Sequence, residues 1–178
     1  MTAQVNALSH KGVKVWNPST GACLRTIDGG YGLCAAFAPG GRHAVVGTKT
    51  GALEIVDVQA GMALDGAPEA HGGAVWGVAL LPNGSGFVSA SADKTVKFWE
   101  WRLVDVEDED DDAPEGERAT RRELTVAHVK TLQMTEDVLS VRITPDGKLL
   151  SVSLLDNPLK VFFADSLKFF LSLYGHRL

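Results

Sequence analysis

The feature that most restricts this chain is a repeat. Four segments share one pattern: Val13-Lys14-Val15-Trp16-Asn17, Leu53-Glu54-Ile55-Val56-Asp57, Val96-Lys97-Phe98-Trp99-Glu100 and Leu159-Lys160-Val161-Phe162-Phe163. Each runs apolar, charged, apolar, bulky, the period-two alternation of a strand. The fourth positions, Trp16, Val56, Trp99 and Phe162, are 40, 43 and 63 residues apart. The first two intervals match the roughly 40 to 45 residues of a four-stranded propeller blade. The third is about 20 residues longer than that period and contains a run of acids, as an insertion into one loop of one repeat would.

The remaining strands fall into register around these segments. A turn precedes three of them, at Lys49-Thr50-Gly51, Asp93-Lys94-Thr95 and Asp156-Asn157-Pro158. Before each turn lies a run of strand-forming residues: 43–48, 86–91 and 149–154. Earlier still come the hairpin signals Pro39-Gly40-Gly41, Pro82-Asn83-Gly84 and Pro145-Asp146-Gly147. Alternating runs at 33–38, 75–81 and 138–144 precede those. A last strand follows each aligned segment, at 22–27, 62–64, 126–132 and 167–173. This predicts two strands, then three sets of four, with no long amphipathic helix. The expected fold is all-β: a propeller segment of about three and a half four-stranded antiparallel blades in an incomplete ring. Residues 1–10 are expected to be a disordered leader. Residues 11–178 would form the partial propeller, with a disordered acidic insertion at 104–123. Both ends read as cut, and the chain alone would expose two blade flanks and associate.

Charge and composition narrow the function classes. The net charge is -5, yet residues 105–117 hold nine acids and no base. The rest has 13 acids against 17 Lys and Arg, a mildly basic body that permits nucleic-acid contact without arguing for it. No apolar run approaches the roughly 18 to 20 residues of a membrane helix, and residues 1–10 have no signal-peptide pattern. Cys23 and Cys34 are the only cysteines. They read as small buried hydrophobes in a reducing compartment, with no disulfide framework. No Cys/His cluster has metal spacing, and His10, His43, His128 and His176 stand isolated. Gly47-Thr48-Lys49-Thr50-Gly51 lacks the spacing of a phosphate loop and reads as a hairpin turn. No metal, cofactor, membrane or small-molecule substrate is expected.

His71, Ser89, Asp93 and Trp99 fall within one blade. Three of them suggest a Ser-His-Asp hydrolase. Their pattern resembles the WD-repeat family instead: a His before the first strand, a Ser in the second, an Asp in the next turn and a Trp in the third. That resemblance implies a buried hydrogen-bonded tetrad that locks the blade, stabilising when all members are paired. The other blades lack the full set. Thr50 and Val56 stand in for Asp and Trp in one, and Phe162 follows Asp156 in another.

The six consecutive acids Glu107 to Asp112 repel one another. They read as a solvated loop, or as a contact for a basic partner through Asp108, Glu109, Asp110, Asp111 and Asp112. Arg118, Arg121 and Arg122 form a basic counterpatch that touches RNA phosphate or pairs with the acids. Trp101 and Arg102 are further surface candidates. Trp101 lies two residues after Trp99, on the same strand face, which suits core as well as contact.

Several longer stretches resemble one WD-repeat family in particular, that of WD-repeat protein three, known in yeast as the twelfth U-three-associated protein. They include Val13 to Asn17 with Leu24-Arg25-Thr26, Tyr31-Gly32-Leu33-Cys34 and Gly47 to Gly51. Also matching are Ala92 to Trp99, Glu136-Asp137-Val138-Leu139, Val152 to Asp156 and Leu159 to Phe162. The most specific is Ser166 to His176, and the resemblance spans roughly Lys11 to the end. It implies a non-catalytic scaffold subunit of the small-subunit processome, acting in small ribosomal RNA maturation in the nucleolus. Implied partners are other WD-repeat processome subunits, with small nucleolar RNA and pre-ribosomal RNA in the complex. The alternatives are a generic WD-repeat adaptor for another complex, a hydrolase using His71, Ser89 and Asp93, and a truncated gene product. Fold alone does not separate the first two.

Overall fold

A computed structural model describes residues 4–6, 12–107, 120–156 and 158–174. The described residues form fifteen strands in four antiparallel sheets. The first sheet contains β1 (Gln4–Asn6), β2 (Val13–Trp16) and β3 (Cys23–Ile27). The second contains β4 (Gly32–Phe37), β5 (His43–Thr48), β6 (Leu53–Asp57) and β7 (Met62–Ala67). The third contains β8 (Val75–Leu80), β9 (Gly86–Ser91), β10 (Thr95–Glu107) and β11 (Thr120–Gln133). The fourth contains β12 (Val138–Ile143), β13 (Leu149–Leu154), β14 (Leu159–Phe163) and β15 (Phe169–Leu173). Each sheet is a meander in chain order, and the sheets do not close into a ring. The all-β, four-stranded architecture is the one the repeat dictates, with no helix among the described residues.

Alternation along the strands makes every inner sheet two-faced. On β5, Ala44 and Val46 face the first sheet and pack with Val13, Val15 and Ile27. Val45 faces the opposite way, and with Leu53 and Ile55 it packs on Val75, Phe87 and Trp99 of the third sheet. The third sheet repeats the device: Val88, Val96 and Phe98 turn toward Val141, Leu150 and Phe162 of the fourth. The core is therefore three apolar seams between consecutive sheets.

The structure departs from the sequence reading in four places. Gln4–Asn6, inside the expected leader, forms β1 and pairs with β2 through Gln4↔Trp16 and Asn6↔Lys14. The first sheet thus has three described strands instead of two. Within the expected loop at 104–123, residues 104–107 and 120–123 are strand. β10 continues to Glu107 and β11 starts at Thr120, in unbroken register from Trp101↔Val126 to Glu107↔Thr120. Pairing with β9 stops at Glu100↔Gly86, so these residues form a two-stranded ribbon beyond the sheet. Cys23 is exposed, because β3 is the outermost strand of its sheet and its register slips beside Trp16. Cys34 is half-buried. His43 is not isolated; its surroundings are described below.

Candidate functional site

The structure brings His71, Ser89, Asp93 and Trp99 together in the third sheet. β9 holds Ser89 and β10 holds Trp99, while His71 and Asp93 come from the turns at the end where β9 meets β10. Trp99 Nε1 lies 2.8 Å from Ser89 Oγ. Ser89 Oγ lies 2.7 Å from His71 Nε2, and His71 Nδ1 lies 2.9 Å from Asp93 Oδ2. One proton arrangement satisfies every group. The indole N–H donates to Ser89, the Ser89 hydroxyl to a bare Nε2, and Nδ1–H to the Asp93 carboxylate. Asp93 also accepts from the Gly72 and Thr95 amides and from the Thr95 hydroxyl.

The electrostatics agree with that arrangement. Burial lowers the His71 pKa from its ordinary value, and the opposing pull of Asp93 does not restore it. Burial pushes Asp93 upward, but hydrogen bonds from Thr95, His71 and the Gly72 amide hold its carboxyl below the usual range. A neutral imidazole beside a carboxylate follows. Ser89 has no exposed surface, and its proton is committed to a buried ring. A Ser-His-Asp nucleophile must reach a substrate carbonyl, and this serine faces Trp99 instead. Phe87 stacks on Trp99 at 6.3 Å and touches Trp101 at 4.8 Å. Trp101 thus shares the Trp99 face and packs into the core beside it.

The charged residue of the repeat has a function the alternation concealed. Glu54, Lys97 and Lys160 occupy equivalent positions, and each reaches back to the loop entering its own sheet. Glu54 accepts the Gly30 amide at 2.9 Å. Lys97 Nζ donates to the Ala70 carbonyl at 2.5 Å, and Lys160 Nζ donates to Thr135 Oγ1 at 3.4 Å. A charged residue in an alternating strand reads as solvent-facing, so only the recurrence of the position signalled these clamps.

A second polar cluster lies at the opposite end of the second sheet. Asp57, with a nearly buried side chain, accepts from Arg42 at 2.8 Å and from the Gln59 and Ala60 amides at 2.8 Å each. Burial opposes ionisation of Asp57, and the Ala60 amide with Arg42 overcomes it, so its pKa falls. His43 Nε2 is 3.7 Å from the same carboxylate, and burial lowers its pKa. Among the described residues no group of three or more His, Cys, Asp or Glu is placed to hold a metal.

The acids Asp108, Glu109, Asp110, Asp111 and Asp112 lie outside the described residues, as does Arg118. Arg121 is placed by its backbone alone, opposite Val106. Arg122 pairs with Asp105 at 3.2 Å across the exposed ribbon. Arg102 pairs with Glu100 at 3.0 Å. A crevice of about 350 Å³ separates the ribbon from the second sheet and is lined by Arg42, Asp57, Met62, Leu103, Arg122 and Leu124, among others.

Comparison with known proteins agrees with this architecture. The family described as the WDR3 second beta-propeller domain matches residues 2–178. Human WD repeat-containing protein 3 is 48% identical over 166 residues, covering 93% of this chain and 16% of that protein. U3 small nucleolar RNA-associated protein 12 of Saccharomyces cerevisiae is 42% identical over 170 residues, 96% of this chain and 18% of that protein. The WD repeat-containing protein 3 homolog of Dictyostelium discoideum is 43% identical over 170 residues, covering 96% of this chain and 17% of its own. The chain therefore spans less than a fifth of the relatives it matches. With its sheets, seams and repeat all in place along the matched length, the chain belongs to the WDR3 second beta-propeller family.

Proposed function

We propose that this chain is a non-catalytic scaffold segment of a small-subunit processome component. It would act in nucleolar maturation of small ribosomal RNA, beside other WD-repeat subunits and the U3 small nucleolar RNA. The observation that carries the reading is the similarity along nearly the whole chain to a yeast protein named for its association with that RNA. The His71-Ser89-Asp93-Trp99 network supports the non-catalytic part. Its hydroxyl is buried and its protons are fully committed, so the set serves as a lock within the third blade. In this reading Asp108 to Asp112, with Arg121 and Arg122, contribute a partner contact.

The test is purification of the tagged complete protein carrying this sequence, with bound RNA sequenced and bound proteins identified. Enrichment of U3 small nucleolar RNA and small-subunit ribosomal precursor, with other WD-repeat subunits, is the expected result. A set of partners with no nucleolar RNA overturns the pathway and leaves a WD-repeat adaptor for another complex.

A further inference from the structure

One strand of the third sheet outruns its neighbour. β2, β6 and β14 hold the place of β10 in the other sheets and are 4, 5 and 5 residues long, whereas β10 has 13. β9 accompanies β10 only from Val96↔Ala90 to Glu100↔Gly86. The last bond on that side runs from the Trp101 amide to the Ser85 carbonyl, 3.1 Å. Before Ser85 the chain turns at Pro82-Asn83-Gly84 toward the second sheet, where a Cβ on Gly84 would stand 3.3 Å from Pro39 Cγ. Among the described residues, no strand lies beside Arg102 to Glu107 on the side where β9 ends.

The bond at Trp101 fixes which backbone groups that side carries. Along an antiparallel strand, alternate residues turn both N–H and C=O to the same neighbour. Trp101 turns its amide to the β9 side, so Leu103, Asp105 and Glu107 turn theirs the same way. Arg102, Val104 and Val106 turn instead to Thr125, Glu123 and Arg121 of β11. Leu103, Asp105 and Glu107 therefore present main-chain donors and acceptors along an edge that no described strand fills.

Folded proteins blunt an open edge with lysine, proline, a bulge or a covering segment. Residues 102–107 contain neither lysine nor proline. The register slip between β10 and β11 lies before them, at Phe98/Trp99. Leu103 is 66% exposed and Val104 41% exposed, so this edge holds apolar bulk in water. The outer edge of β11 differs. It opens on the consecutive charges Arg121-Arg122-Glu123, and it matches the outer edges that β3, β7 and β15 give the other sheets. The open edge of β10 has no counterpart among the described strands at its position.

Charge selects the occupant. Residues 101–126 carry ten acids against four arginines, so the ribbon repels a second copy of itself and a nucleic-acid backbone alike. Arg122 meets Asp105 from the β11 side, leaving the other flank of that carboxylate to a newcomer. We propose that the open edge of β10 is completed by an extended, basic segment of a partner protein, which adds a strand beside Leu103, Asp105 and Glu107. Main-chain hydrogen bonds supply its affinity, and alternate side chains its specificity. The segment carries aliphatic residues beside Leu103 and Val104, and lysine or arginine opposite Asp105 and Glu107. This rests on the scaffold reading and names one mode of contact through which it operates.

The test uses the complete protein in its purified native assembly, with Val104→benzoylphenylalanine as a photo-reactive probe. Mass spectrometry identifies the cross-linked peptide. The expected product is a segment of another protein in which aliphatic residues stand beside Lys or Arg. Two proline variants then ask whether it is held as a strand. Leu103→Pro removes an amide on the open edge, and Arg122→Pro removes one on the outer edge of β11. Neither takes a bond from between β10 and β11, and proline is tolerated where the lost N–H faces away from the ladder. Leu103→Pro should lower the cross-link yield about tenfold, and Arg122→Pro should leave it unchanged. Cross-links to RNA, to an acidic segment or to this protein itself overturn the proposal. So does a yield indifferent to Leu103→Pro, or one lost equally with Arg122→Pro. An assembly without nucleolar RNA overturns the scaffold reading; an assembly with it and no such cross-link overturns only the added strand.

Discussion

At the scale of single residues, Ser89 decides what the third blade is for. It receives a proton from Trp99 and gives one to His71, so its removal leaves two buried polar groups facing nothing. Ser89→Ala should cost about 1–3 kcal/mol in chemical denaturation, the penalty for unsatisfied buried groups. A catalytic serine would behave otherwise, losing an activity while stability held. The same network makes stability depend on pH. The ordinary value for histidine is 6.5, and burial holds folded His71 below it. The unfolded chain therefore takes up a proton near that value while the folded chain does not. The His71 contribution is complete above the unfolded value and is lost as pH falls beneath it. Asp93, also held low, loses its own contribution only in stronger acid. The urea midpoint should fall between pH 7 and pH 5, and His71→Gln should remove most of that slope. His43, also lowered by burial, contributes with the same sign. An unchanged slope in the variant would assign the effect elsewhere.

Among elements, the recurring clamp fixes where the chain enters the second, third and fourth sheets. Glu54 fastens Gly30, and a Cβ on Gly30 would lie 2.7 Å from Glu54 Oε1, so a larger residue there would displace the carboxylate that makes the clamp. Glu54→Ala should free the Gly30 amide, speeding its hydrogen exchange and costing about 1–2 kcal/mol. Glu54→Gln, which keeps an acceptor, should lose less. Gly86 serves a different need, because a Cβ there would run into the Trp99 carbonyl of the neighbouring strand. Gly86→Ala should push β9 from β10 and cost about 1–3 kcal/mol, the usual range for an overpacked site. Strand order and blade grouping were legible from alternation and turn residues, because a half-buried strand cannot hide its period. The network was legible through the resemblance to WD repeats, which matches His71, Ser89, Asp93 and Trp99 to its places in the blade. What escaped had little apolar signal. β1 is three residues with one apolar member, and the ribbon mixes Val104 and Val106 with acids. Its pairing with β11 lies in backbone register, which composition does not report. Asp57 and Arg42 escaped because charged residues at a strand end read as solvated, and only the fold shows them turned onto each other.

For the whole molecule, the governing fact is that three seams serve four sheets. Val15, Ile55 and Phe98 occupy equivalent positions, and each is buried in a seam by the sheet that follows. Val161 is the fourth of the series, and no described sheet covers it. It remains half-buried, as does Leu159, with exposed Phe163, Phe170 and Leu173 on the adjoining strand positions. An apolar face built for burial favours association at about 25 cal/mol per Å² removed from water. The isolated chain should therefore self-associate, its sedimentation coefficient rising with concentration. Val161→Lys places a charge at the centre of the open face while leaving the three existing seams untouched. It should hold the chain monomeric at concentrations where the parent associates, with an unchanged unfolding midpoint. Phe98→Lys, at the equivalent position inside a seam, should instead unfold the chain, because that charge has no route to water. The contrast separates a face awaiting a neighbour from a seam already made. If Val161→Lys destabilised as severely as Phe98→Lys, the fourth sheet would be covered within this chain and the open-ring architecture would be wrong.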